Sequence, residues 1–376
     1  MHKVAFFPIG NADCCRVDLE KGPKLLFDYA DMRDPADPED RRIALGDELR
    51  RDLEEAGRDA FDVVGFTHLD DDHIHGASEF FSLDHAAKYQ GGKRIKIRDL
   101  WVPAAAITEE GLEDEARIIR TEARFRLEKG YGVRVFSRPD RLREWLKARN
   151  IRLEDRAHLI TDAGQLVPGF RKDTEGVEFF IHSPFARRLD DGGIEDRNSD
   201  ALVLQGWFSC GTVDTKLLLT ADAPHEILTE IVQITQRHKN DSRLEWDIYN
   251  VPHHCSYLSL GPERGKDVTE PVSDVEWLIE AQGQDRGIVV STSKVIPKRD
   301  DDPQPPHRQA ANYYKEATAK RKGQFIVTME HPSTDRPRPL EITIDTLKAT
   351  VKRTASGGSA AILTSSAPRA GMRHGR

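Results

Sequence analysis

No stretch of this 376-residue sequence approaches the roughly 20 consecutive apolar residues that a bilayer-spanning helix needs, so no membrane association is expected. The opening residues, Met1-His2-Lys3-Val4-Ala5-Phe6-Phe7, read directly as a strand and lack the apolar core and cleavage site of a secretion signal. Cysteine is scarce. Cys14, Cys15, Cys210 and Cys255 form neither a paired framework nor the CxxC spacing of a structural zinc site, so a reducing, cytoplasmic setting is expected. No repeat at solenoid spacing is visible. There is no positive excess either: a net charge of −8 argues against a dedicated nucleic-acid coat. One basic run stands out, from Arg117 to Arg152 and including Arg120, Arg124, Arg126 and Arg134. Glu122, Glu128 and Glu144 are interspersed in it, which favours a solvated helix face over a phosphate-binding surface.

What is present is a well-charged globular composition, 38% hydrophobic and 32% charged, long enough for one large α/β domain or one domain with insertions. Strands are expected at Lys3–Ile9 and Leu25–Tyr29, paired around Gly22-Pro23, and an amphipathic helix over Glu39–Ala56. From about 84 to 155 the pattern turns to long charged helical segments with one short strand at Leu100–Pro103, and reads as a largely helical insertion. Strands return from Gly176 onward, with helices over His225–Arg237 and Gln309–Ala319. The stretch 346–376 is rich in Ser, Ala, Gly and basic residues without periodicity, and is expected to be a disordered basic tail.

The chemistry is concentrated in Thr67-His68-Leu69-Asp70-Asp71-Asp72-His73, after the apolar run Phe61–Phe66 and before the helix-like start Ile74-His75-Gly76-Ala77. Imidazole and carboxylate are favoured ligands of zinc, manganese and iron, and a strand-to-helix turn lets them converge on one point. Further along, Leu217-Leu218-Leu219-Thr220-Ala221-Asp222 is an apolar strand ending in a carboxylate, suited to bridge metal ions or to cap the helix beginning at Pro224-His225. Trp246–Val251 leads to Pro252-His253-His254, with His254 favoured as ligand and His253 near the substrate. His182, after the strand Val177–Ile181, and the turn Asn198-Ser199-Asp200 are each balanced between ligand and turn roles. His307, after Pro305-Pro306, reads first as an ordinary surface histidine.

In this order the motifs resemble the metallo-β-lactamase fold: a strand-end HxHxDH, a bridging aspartate after a strand, then a late histidine. Asp70 stands where histidine is usual, and the resulting HxDxDH resembles the hydrolase domain of ComEC-type DNA-uptake proteins and their stand-alone relatives. Their segments SHxDxDHxGG, NNxSLVL, LLTGDA and VPHHGS correspond to Thr67–Gly76, Asn198–Leu204, Leu218–Ala223 and Val251–Ser256, and Pro306-His307 has a counterpart in a late loop. His75, Ala221 and Cys255 replace glycines of those motifs. The resemblance implies a four-layer αβ/βα sandwich over residues 1–345 and two divalent metal ions at a sheet edge. His68 and Asp70 would serve the first ion, with His182, Asn198 or Asp200 completing it. Asp72, His73 and His254 would serve the second, and Asp222 would bridge. Zinc is expected, and the anionic Asp70 makes manganese, magnesium or iron reasonable. Two such ions acidify a shared water; Asp72 would orient it, and His253 or His307 would protonate the leaving group. The implied activity is hydrolysis of phosphodiesters, with a nuclease acting on nucleic acid or nucleotides as one form. A small ester, lactone or thioester is the second expectation. A non-catalytic scaffold docking a protein through residues 84–155 is the third.

Overall fold

The computed structural model describes residues 1–186, 197–299 and 302–352. Its strands are β1 (His2–Phe6), β2 (Cys15–Asp18), β3 (Lys24–Phe27), β4 (Ala60–Gly65), β5 (Phe81–Ser82), β6 (Ile95–Pro103), β7 (Val133–Phe136) and β8 (Ile160–Thr161). They continue as β9 (Val177–Ser183), β10 (Val203–Cys210), β11 (Val213–Leu219), β12 (Trp246–Asn250), β13 (Gly283–Ser291) and β14 (Gln324–Val327), and end with β15 (Leu340–Asp345) and β16 (Lys348–Val351). Among the described residues, one sheet has the order β16-β15-β1-β2-β3-β4-β6-β7-β8 with β5 beside β6, and the other β14-β13-β12-β11-β10-β9. The main helices are α1 (Leu45–Glu55), α2 (Asp114–Lys129), α3 (Asp140–Lys147), α4 (His225–Arg237) and α5 (Arg308–Lys320).

Side-chain alternation along the strands sorts the core into three slabs. Leu25 and Phe27 of β3 and Val63 of β4 point between the sheets, where they meet Phe179, Ile181, Leu204, Leu217 and Ile248. Leu26 and Val64, one residue out of step, point the other way and, together with Phe61, pack on Leu45, Leu49 and Leu53 of α1 and on Ile119, Ala123 and Leu127 of α2. On the far face of the second sheet, Leu218, Tyr249 and Val289 pack against Ile227, Ile231 and Val232 of α4 and Tyr314 of α5. Helix, sheet, sheet and helix therefore stack in that order, the four-layer αβ/βα sandwich that the motif series implied.

Several boundaries differ from the sequence reading. β2 intervenes between the two strands expected to pair directly: β1 pairs with β2 and β2 with β3. It is short and interrupted by Arg16, whose guanidinium is drawn into the buried layer by Asp18 and Asp52. α1 begins at Leu45 rather than at Glu39, because Asp34, Asp37 and Asp40 each accept a hydrogen bond from the backbone N–H two residues on. Such turns compete with helix for the same donors. The 84–155 segment is not a largely helical insertion. It contributes β6 and β7, and β6 pairs with β4 on one side and β7 on the other. At the other end, β16 pairs with β15 beyond residue 345; the rest of the expected tail, 353–376, lies outside the described residues.

Strands β3, β4 and β6 run parallel, as do β11, β12 and β13. Their C-terminal ends therefore release loops on common edges, where open α/β sheets bind ligands. Asp28 follows β3, His68–His73 follow β4, Asp222 follows β11 and His253-His254 follow β12.

Candidate metal centre

Hydrogen bonds between loop backbones draw these strand ends together. Asp13 N–H donates to the Asp72 carbonyl (3.1 Å), Tyr29 N–H to that of His73 (3.0 Å), Leu202 N–H to that of Thr67 (2.8 Å) and His253 N–H to that of Ala221 (3.1 Å). The result is a group of Asp72, His73, Asp222 and His254 whose ligand atoms all lie within 4.8 Å of one another. His73 Nε2 is 3.3 Å from Asp222 Oδ1, and His254 Nε2 is 3.0 Å from Asp72 Oδ2 and 3.7 Å from Asp222 Oδ2. His68 adjoins the group, its ring centroid 3.9 Å from that of His73.

The two central histidines are oriented from behind. His73 Nδ1 donates to Asp28 Oδ2 (2.9 Å), and the same carboxylate accepts from the Thr67 N–H and hydroxyl, both at 2.7 Å. His254 Nδ1 donates to the Thr292 carbonyl (2.9 Å). Both Nε2 atoms are thereby aimed at Asp222, the arrangement by which proteins fix metal-ligating imidazoles. The Nε2 atoms of His68 and His73 and Oδ1 of Asp222 are buried without a hydrogen-bonding partner. Buried polar atoms that lack a hydrogen bond are destabilising, and three converging at one point suit the binding of a cation. The set of two to three imidazoles and two carboxylates fits zinc, manganese or iron. Asp28→Asn should leave the fold intact but weaken metal binding by about 10- to 100-fold, the usual consequence of losing such a supporting carboxylate; competition with a chelating indicator measures it.

Electrostatics point the same way. Burial disfavours the imidazolium of His254, yet Asp222 and then Asp72 and Asp13 raise it to about 9. Burial likewise opposes the charged form of His73, but Asp28 and Asp222 hold it well above the usual range. For Asp222 burial acts upward and is overcome by His254 and His73, leaving the carboxyl well below its ordinary value. Asp13 is lifted to about 6, chiefly by burial. The carboxylates thus favour positive charge on the imidazoles, and the same field would attract a cation in competition with protons.

The backbone is strained at the same place. His253, His254 and Cys255 have φ of 49°, 50° and 69°, and Ala221 has 47°. Left-handed φ costs a non-glycine residue about 1–2 kcal/mol, and such strain collects at functional sites where surrounding bonds dictate it. Two of these residues, Ala221 and Cys255, are the ones standing at motif glycines. Ala221→Gly should therefore stabilise the fold slightly, by under about 1 kcal/mol once the entropy of glycine is counted. Cys255→Gly should instead destabilise it, because the thiol is fully buried in the helix-side core. Urea midpoints distinguish the two signs.

His182, expected at the centre, lies elsewhere. It is on the face of β9 opposite Ile181 and lines a cavity of about 450 Å³ against α4. Its Nε2 donates to the Arg243 carbonyl (2.8 Å). Strand alternation placed it one residue out of register with the inter-sheet side. Burial pushes it down to about 4, below the 6.5 of an unfolded histidine. The unfolded chain thus binds the extra proton between pH 6.5 and 4, and stability falls as pH drops through that window, by about 3 kcal/mol in all from this group. The acid sensitivity of wild type between pH 7 and 4.5 should exceed that of His182→Gln by about 2 kcal/mol, the part of the window those two values span; urea titrations at both values read the difference. His307, read first as a surface histidine, is instead buried. Its Nδ1 accepts from the Tyr257 N–H (3.3 Å) and its Nε2 donates to the Pro303 carbonyl (3.1 Å), so it holds the loop after His254.

Of the remaining candidates, His253 is one-quarter exposed, with Nε2 3.9 Å from Asp222 Oδ2. Asp70 does not join the four-residue group: its Oδ2 is 3.5 Å from His68 Nε2, while its Oδ1 accepts from Arg197 Nη1 at 2.6 Å. Asn198, Ser199 and Asp200 form the turn before β10, beside Thr67. Asp13, Asp28 and Arg197 escaped the sequence reading. Asp28 carried a usable signal, a carboxylate at the tip of the apolar strand Lys24–Phe27, the same pattern that marks Asp222. Arg197 carried none.

Neither a scan against protein-family models nor a search of curated proteins gives a match. Among solved structures, the chain is similar to unliganded yeast PDE1, with a TM-score of 0.45 and 10% identity over 87% of this chain and 97% of that one. It is also similar to a diphosphatase of the PhnP family (TM-score 0.35, 9% identity, 92% and 98% covered). A third likeness is to the class B3 di-zinc metallo-β-lactamase LRA-12 from an Alaskan soil metagenome (TM-score 0.32, 11% identity, 85% and 91% covered).

Proposed function

We propose that this chain is a metal-dependent hydrolase whose first substrate class is a phosphodiester of nucleotide size. The observation that carries the reading is the convergence of buried Nε2 and carboxylate atoms from His68, His73 and Asp222, at ion-pair distance but without hydrogen bonds, beside Asp72 and His254. A divalent cation held by Asp72, His73, Asp222 and His254 would supply Lewis-acid stabilisation of charge developing on an ester oxygen and would acidify water. The chain's own residues do the rest. Asp72, about one-third exposed and tied to His254 through Oδ2, orients the nucleophile and takes its proton. His253, partly exposed beside Asp222, delivers a proton to the leaving group. Asp28 and Thr292 keep the ligating rings fixed.

Phosphodiester over carboxylic ester is supported by the guanidinium of Arg197, one-third exposed beside Asp70, which suits an anionic substrate. A short substrate over a polymer is supported by the arginines of the 117–152 run. Arg120 donates to the Glu109 carbonyl and Arg124 to the Ile107 carbonyl and Glu110, while Arg126 is buried against Glu122. None of those three forms an open track for a phosphate backbone. The test is hydrolysis of bis(p-nitrophenyl) phosphate, a dinucleotide and p-nitrophenyl acetate by chelator-stripped protein reloaded with zinc or manganese. Metal-dependent cleavage of the phosphodiesters with a shallow salt dependence supports the reading. Cleavage of the acetate alone sinks the phosphodiester assignment, and inert protein after reloading sinks the hydrolase.

A further inference from the structure

The first half of the expected two-metal centre is arranged differently from the second. Around Asp222, the ligand atoms of Asp72, His73 and His254 form a compact group. Around Asp70, by contrast, the nearest charge is a guanidinium. Arg197 Nε and Nη2 form a fork on Glu109 at 2.9 and 2.8 Å, and its Nη1 donates to Asp70 Oδ1 at 2.6 Å. Glu109 is itself well placed: it is largely buried, its N–H donates to the Ala105 carbonyl (2.8 Å), and its own carbonyl accepts from Arg120 (2.7 Å). A bidentate fork on a fixed carboxylate gives the guanidinium a defined orientation.

Two consequences follow. The negative charge that Asp70 adds, relative to an imidazole at that position, faces a permanent cation, which it shares with Glu109. And the side chains left there for a second metal ion reduce to His68 Nε2 and Asp70 Oδ2, 3.5 Å apart, because Asp70 Oδ1 faces Arg197 and His182 is committed on the other face of β9. A dication placed between His68 and Asp70 would sit against a guanidinium of the same sign in a partly buried site, where such repulsion is poorly screened.

Resting on the hydrolase reading above, we propose that the centre holds one divalent ion rather than two, and that the Arg197 guanidinium stands in the second cation's place. It does so locked between Asp70 and Glu109 and presented to an anionic oxygen of the substrate. Glu109 is then a positioning residue, acting only through Arg197.

Metal stoichiometry tests this without reference to turnover. The full chain is stripped with chelator, titrated with Mn²⁺, desalted and analysed for manganese, with electron paramagnetic resonance of the saturated protein alongside. Wild type should retain one equivalent with the spectrum of an isolated ion. Arg197→Ala, which frees Asp70 beside His68, should retain two, with spin coupling between them, and the double variant Arg197→Ala/Asp70→Ala should return to one. Two equivalents in wild type would overturn the proposal even if Arg197→Ala failed to fold. One equivalent in both wild type and Arg197→Ala would overturn the role given to Arg197 as the occupant that keeps the second ion out. No bound manganese or zinc in any variant would overturn the hydrolase reading itself, a different failure from either of these.

Discussion

Asp222→Asn should strip the protein of its metal and lower hydrolysis by about a thousandfold or more while leaving the fold in place. The substitution keeps the shape of the side chain and removes the buried charge that faces both His73 Nε2 (3.3 Å) and His254 Nε2 (3.7 Å), leaving only the more exposed Asp72 beside them. Losing the carboxylate also lets both imidazoles give up their protons more easily, since Asp222 is a principal cause of their raised values. Proton competition therefore becomes weaker in the variant, and the loss is assignable to the missing ligand charge. The magnitude follows from comparing lesser losses: an outer carboxylate is worth about 10- to 100-fold, and one preorganised group stabilising developing charge about 100- to 1000-fold. Elemental analysis after desalting and the phosphodiester assay, with circular dichroism as the control for folding, measure it. Full metal content with about a tenth or more of wild-type activity would contradict the assignment of Asp222.

The largest effect on stability is expected away from the centre. Glu122 is fully buried on α2. It accepts from the Asp84 N–H (3.0 Å), the His85 N–H (2.9 Å) and ring (2.8 Å), and Arg126 Nε (2.6 Å). Arg126, 2% exposed, donates in turn to the carbonyls of Ile97 and Gly132 at 3.1 and 2.9 Å. This pair joins α2 to β6 and to the loop after β5. Glu122→Ala leaves the buried guanidinium with only the partly exposed Asp84 (3.4 Å) as counter-ion and two loop N–H groups without an acceptor, which should cost about 3 kcal/mol. That is a large share of the roughly 5–15 kcal/mol by which domains are stable. The double substitution Glu122→Leu/Arg126→Met should recover most of it, because the desolvation cost of both charges disappears together. Urea unfolding of the three proteins measures the cycle. A loss below about 1 kcal/mol in Glu122→Ala would mean that the pair is solvated.

The same pair shows where the sequence was silent. Arg126 and Glu122 sit in a run of charges whose spacing reads as a solvated face, and only the docking of α2 on β6 turns them inward. Docking is a long-range event that charge patterning along one helix does not encode. The first half of β6, before the expected strand Leu100–Pro103, and all of β7 were obscured for a related reason: Ile95-Lys96-Ile97-Arg98-Asp99 and Val133-Arg134-Val135 alternate apolar with charged residues between strongly helical neighbours. By contrast, the strand tips were legible, because packing alone gives an apolar run little reason to stop at a carboxylate or imidazole. His68, Asp72, His73, Asp222 and His254 stood out in that way, and the structure brings them together. His182 ended a strand too, but which face a terminal residue takes depends on a register of one. Arg197 follows from neither rule. Its partners Asp70 and Glu109 are 127 and 88 residues away in sequence.

The most direct measurement is the anomalous difference map of crystals grown from zinc-loaded protein. A peak should lie about 2.0–2.1 Å from the Nε2 atoms of both His73 and His254, with carboxylate oxygens of Asp222 and Asp72 completing the coordination. Crystals soaked in zinc that show no peak between these four side chains, or a peak only at other surface groups, would contradict the metal centre and the hydrolase built on it.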